Sequence, residues 1–173
     1  MTPDQAEFLL NQIYLPQIEN ERKTTRRVIE AVPVDKSAWR PDSTSKTALD
    51  LAWHLAASEC FFLNGVATGK FEASGSMPEN IKTSADVLKW YDENSAKATA
   101  GLKGLKGDAL TKSLDFRGVF SLPAVAYLGL VNNHSIHHRG QLATYLRPMG
   151  AKVPRIYGGS ADEPMELPAA AKS

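Results

Sequence analysis

The chain has 173 residues, 43% of them hydrophobic and 23% charged, with a single cysteine. That is enough apolar material for one domain with its own core, and it excludes disordered, fibrous and disulfide-stapled classes. The 20 basic residues nearly cancel the 19 acidic ones, for a formal charge of +1, and no run of like charges offers nucleic acid or an anionic membrane a surface.

From Pro3 to Ala31 apolar residues such as Leu9, Ile13, Ile18, Val28 and Ile29 recur at helical spacing among charges. This predicts a first amphipathic helix, kinked at Pro16 and ended by Pro33. Val34 to Ser45 reads as a connector with one helical turn starting at Asp35. Between Thr47 and Ala67 apolar residues run almost all round a second helix, which should be the most buried.

The glycines and Pro78 of residues 68–83 predict a loop long enough to span a bundle, so the next helix need not be antiparallel to the last. Thr83 or Ser84 caps a third helix running to about Leu105. Gly107 to Phe120 reads as an irregular connector, without a β pattern. Ser121-Leu122-Pro123 reads as the start of a fourth helix that Pro148 and Gly150 stop near Leu146.

The prolines and glycines after Gly150 predict an extended tail, so the chain divides into a helical domain, 1–150, and a C-terminal tail, 151–173. The expected fold class is all-α, a four-helix bundle. No stretch of about 18 apolar residues occurs, and the start Met1-Thr2-Pro3-Asp4 lacks the pattern of a secretory leader, so a cytoplasmic protein without a membrane span is expected.

All four histidines lie in two of these helices: His54 in the second, and His134, His137 and His138 in the fourth. At roughly 100° per residue, His134 and His138 share a helix face with Gln141 one turn further on, and Tyr127 and Tyr145 fall on or beside the same stripe. Two imidazoles at i and i+4 can close on one divalent ion. His54 from a facing helix supplies the third ligand and leaves a coordination position open. Three buried imidazoles without metal would each need another hydrogen-bond partner.

His137 points well away from the shared face and is read as a rim residue. Gln141 is the candidate for orienting a metal-bound water or thiol. Asp50 either orients His54 from one turn away or serves the positive end of its helix. Cys60 is read as a small core residue.

The segments Leu51-Ala-Trp-His54-Leu-Ala and His134-Ser-Ile-His-His138-Arg-Gly-Gln141-Leu resemble the DinB-like (YfiT-like) metalloenzymes, with Trp39-Arg-Pro-Asp42 and Ile156-Tyr-Gly-Gly-Ser-Ala-Asp-Glu163 extending the likeness. The resemblance implies an up-down-down-up bundle, a homodimer, metal ligands at His54, His134 and His138, and nickel or zinc as the ion. It also implies a thiol-dependent S-transferase or isomerase acting with a low-molecular-weight thiol such as bacillithiol or mycothiol.

Two functions are therefore carried forward. One is a metal-dependent thiol S-transferase acting on a small electrophile in a pocket beside Tyr127 or Tyr145. The other is a non-catalytic metal- or ligand-binding stress-response module, since no Ser-His-Asp set, HExxH pattern or phosphate loop is present. A metal-free bundle with its histidines satisfied by neighbours is the structural alternative.

Overall fold

The computed structural model describes residues 1–73 and 75–165. The first helical rod is continuous but changes pitch along its length: α1 (Pro3–Phe8), a π-helical stretch (Leu9–Tyr14) and α2 (Leu15–Glu30). Pro16 explains the wide turn. A proline cannot donate to the carbonyl four residues back, and its ring collides with that carbonyl. Widening the preceding turn, so that the Leu15 amide donates to the carbonyl of Leu10, moves the obstruction aside. The expected kink is thus absorbed just ahead of the proline.

A short 3-10 turn, Val34–Lys36, interrupts the connector to α3 (Ala48–Thr68). Thr47 caps α3 by accepting from the Asp50 amide, and Gly69, at φ 73°, supplies the left-handed residue that ends it. Helix α4 (Ser84–Leu102) starts at a reciprocal cap between Thr83 and Asp86.

Side-chain contacts fix the directions of the rods. Trp53 lies against Trp90 and Ala67 against Gly101, so α3 and α4 run parallel. Arg26 pairs with Asp92 and Arg22 reaches Thr99, so α2 opposes α4. In α6 (Ala126–Leu146), His138 meets His54 and Tyr127 faces Phe62, which sets α6 antiparallel to α3. Tyr14 beside Gly129 and Glu21 beside Arg139 make the first rod parallel to α6. The order is up-down-down-up. Residues 69–83 must return along the roughly 30 Å length of a helix of this size, and an extended chain of that length reaches the distance.

The segment expected to be irregular holds more order than its sequence suggests. A short helix, α5 (Gly107–Thr111), packs so closely on the N-terminus that a Cβ at Gly107 would lie 2.3 Å from the Pro3 carbonyl oxygen. A two-stranded antiparallel hairpin follows, β1 (Ser113–Asp115) and β2 (Ser121–Pro123), with Leu114 opposite Leu122. Ser121-Leu122-Pro123 is therefore a strand and not the start of the fourth helix, which begins at Ala126. Three-residue strands are too short to show an alternating pattern, and a proline suits a strand terminus as well as a first helical turn. The Tyr127 hydroxyl donates to the Leu114 carbonyl at 2.8 Å and ties the hairpin to α6.

The core divides into two apolar halves. One gathers around Leu51, Leu55, Leu142 and Leu146, the other around Leu10, Leu63, Leu102 and Leu128. Between them lies a belt of buried polar groups, including Glu59, Ser95, Thr99, Asn132, Ser135 and Arg139. Beyond α6 the chain has no regular secondary structure as far as Met165, yet it is not free. Arg147 pairs with Asp162 at 2.8 Å, Arg27 with Glu163, and the Tyr157 hydroxyl accepts from Arg139 at 2.7 Å. The expected extended tail is thus docked on the bundle as far as Glu163; residues 166–173, with Pro168, lie outside the described residues. Among the described residues no helix is long and apolar enough to cross a membrane.

Candidate metal centre

The antiparallel packing of α3 on α6 brings His54 opposite His134 and His138. Ring centroids are 5.0 Å apart for His54 and His134, 4.5 Å for His54 and His138, and 4.4 Å for His134 and His138. One ring nitrogen from each residue lies within 4.8 Å of the others. An ion bonding each at about 2 Å needs them within about 4 Å of one another, so the three stand slightly wider than a bound ion would draw them. His137 is exposed, meets His138 edge-on at 4.8 Å and stands outside the converging three, as its place on the helix predicts.

The electrostatics keep His54 and His134 neutral. Burial, helped by His138 and Lys46, pulls His54 down to about 4. Burial, with His138, His54 and His137 adding to it, pulls His134 to about 4 as well. Both therefore offer lone pairs at neutral pH. His134 Nδ1 is buried without a hydrogen-bond partner. Three converging imidazoles, two of them held neutral and one with an orphaned buried nitrogen, fit a divalent cation, and the set can hold one.

Neighbours hold the rings. Gln141 Oε1 lies 2.9 Å from His138 Nδ1, so that nitrogen is the donor and Nε2 is the one left for an ion. The contact Gln141 makes is therefore to an imidazole. The Ser58 hydroxyl donates to the His54 carbonyl and lies 3.4 Å from His54 Nδ1, a weak version of the same arrangement. Asp50 serves its helix end: its carboxylate accepts from the Thr47 hydroxyl at 2.6 Å, and its amide donates to the same oxygen. Cys60 is buried, and burial pushes its thiol up to about 12, with Glu59 adding to the effect.

A cavity of about 760 Å³ opens beside His54 and His134. Its apolar wall comes from Trp53, Phe61 and Phe62 of α3 and from Phe116 and Phe120 of the hairpin, while Lys46 and Arg117 bring positive charge. The tyrosines expected to flank the pocket do not line it. Tyr127 is fully buried with its hydroxyl on Leu114, and Tyr145 packs edge-on against Trp39 at 5.3 Å. Both follow the histidine stripe, but that stripe runs on into the core on either side of the site.

The sequence reading also passed over the charged residues behind the triad. Glu59 accepts from Arg22 at 2.7 Å and from the Tyr91 hydroxyl at 2.5 Å, joining α2, α3 and α4. Arg139, next to His138, donates to Glu21 at 2.5 Å. The available signal was a glutamate and an arginine on otherwise apolar helix faces, each needing a partner that spacing alone does not name.

A family model described as the DinB family matches residues 8–167. The chain is 31% identical over 134 residues to the uncharacterized protein YjoA of Bacillus subtilis, covering 76% of this chain and 85% of that one. It is 26% identical over 155 residues to YrdA of the same organism, also uncharacterized, covering 87% and 89%. The crystal structure of the DinB-like protein YjoA superposes with a TM-score of 0.69 at 27% identity, over 84% of this chain and 98% of that one. A DinB-like protein from Bacillus cereus, 21% identical, gives 0.71 over 83% and 95% and shares the fold.

Proposed function

The chain belongs to the DinB family, and on that premise we propose that it is a metal-dependent transferase joining a low-molecular-weight thiol to a small electrophile. The observation that carries the reading is the convergence of three imidazoles at the wall of an aromatic cavity. His54, His134 and His138 would hold a divalent ion, nickel and zinc being suited to imidazole donors, and such an ion would supply the acidity that lets a thiol ionise near neutral pH.

The protein's own groups do the rest. Gln141 and Ser58 orient His138 and His54 so that each ring keeps one nitrogen free. Phe62 and Phe116, stacked at 5.5 Å, build a dry wall that holds an electrophile and keeps competing water away from it. No step asks a protein side chain to act as nucleophile, in keeping with the raised thiol of Cys60.

The test is turnover of a thiol panel with a reactive electrophile by protein loaded with nickel or zinc. Thioether product formed faster than with metal alone, and lost in His134→Ala, supports the transferase. Thermal stabilisation by a ligand that is never converted supports a binding module in its place.

A further inference from the structure

The cavity beside the triad carries an unbalanced charge. Lys46 and Arg117 both line it, both are exposed, and among the described residues neither is in an ion pair. The one carboxylate on the same wall, Asp50, is already engaged by the Thr47 hydroxyl at 2.6 Å. The two cations come from different parts of the chain, one preceding α3 and one at the tip of the hairpin.

Arg117 is held where it is. Its backbone sits in the left-handed region at φ 55°, in a turn closed by the Phe116 amide donating to the Phe120 carbonyl at 2.7 Å and the Gly118 amide donating to Asp115 at 2.8 Å. A non-glycine residue in that conformation costs energy unless its surroundings fix it. Beside it, Phe116 and Phe120 stack at 4.9 Å, and Phe61 and Phe62 face them from α3.

We propose that this cavity takes an organic anion with a flat aromatic body, an aryl carboxylate, whose charge is read by Lys46 and Arg117. The ring lies among the hairpin and α3 phenylalanines, and the carboxylate reaches the two cations. Guanidinium and ammonium groups without a carboxylate partner beside an apolar wall suit a ligand that brings an anion and a flat apolar body together. As an account of substrate class, it rests on the reading that this cavity is the substrate side of the metal centre.

The test compares 2-naphthoate with its neutral isostere 2-naphthalenemethanol by calorimetric titration of chelator-stripped protein at low ionic strength. The expected result is about tenfold tighter binding of the carboxylate, weakened by salt. Lys46→Gln and Arg117→Gln each reduce that preference, and the double variant abolishes it while leaving the alcohol's affinity unchanged. Phe116→Ala weakens both probes. Equal affinity for the two probes, or a preference that survives the double variant, overturns the proposal, as does a preference that arises only once zinc is added. A separate zinc titration reports on the metal reading, so failure there leaves the anion preference of the stripped protein standing or falling by itself.

Discussion

Replacing Glu59 with leucine should be among the most damaging single changes in this protein, although the residue touches no part of the cavity. Its carboxylate, with a side chain 4% exposed, accepts from Arg22 at 2.7 Å and from Tyr91 at 2.5 Å. Burial, reinforced by that carboxylate, holds the Tyr91 phenol well above its ordinary range, so Tyr91 is a donor at any working pH. Leucine leaves the Arg22 guanidinium, 13% exposed, with only the Thr99 hydroxyl at 3.1 Å, and leaves the Tyr91 hydroxyl with nothing. Breaking a buried pair in this way costs about 3–5 kcal/mol. For a chain of this size that is a fall in Tm of about 6–20 °C.

Thermal and urea unfolding, followed by circular dichroism, would measure the loss. The control removes the whole network. In the triple variant Arg22→Met/Glu59→Leu/Tyr91→Phe no charge or phenol is stranded and only the Thr99 hydroxyl loses its partner, so most of the stability should return, because a buried ion pair is worth little more than well-packed apolar side chains. A single variant that loses less than about 1 kcal/mol, or a triple variant no more stable than the single, would refute this account of the belt.

Three further outcomes follow from the same geometry. Gln141→Leu should weaken zinc or nickel affinity about 10- to 100-fold while leaving the helix content intact, because it removes the group that holds the His138 proton on Nδ1; competition against a chromogenic chelator measures it. Cys60, buried with its thiol raised to about 12, should react with a disulfide reagent at neutral pH only on the timescale of unfolding, and quickly in urea. The docked segment after α6 should loosen in acid: backbone amides and arginines lower Asp162 and Glu163 below the usual carboxylate range, and a lowered folded-state pKa contributes stability that is present above pH 4 and lost as pH falls through the folded values. Hydrogen exchange over residues 151–163 should rise at pH 3 ahead of exchange in α3, once corrected for intrinsic rates.

How far the site could be read from the chain depends on how local each relation is. The spacing of His134, His138 and Gln141 is a property of one helix, and their shared face needs no tertiary information. The starts of α3 and α4 were legible for the same reason, because Thr47 and Thr83 cap amides only a few residues away. The hairpin was not, since Leu114 finds Leu122 across a turn that no periodic pattern announces. Nor were the pocket walls: aromatic residues of α3 and of the hairpin have no sequence relation that places them around one volume.

By itself, the sequence determined the four rods, the apolar stripes that oblige them to pack, and the pair of imidazoles one turn apart on α6. Only the tertiary structure decided that His54 faces that pair, that Arg22 and Tyr91 bind the Glu59 carboxylate, and that Phe116 and Arg117 close the cavity. The physical reason is that a helix fixes the angle between its own side chains to within a few degrees. Which side chain of another rod meets them depends instead on direction, rotation and axial offset, and these are set only when the whole core packs.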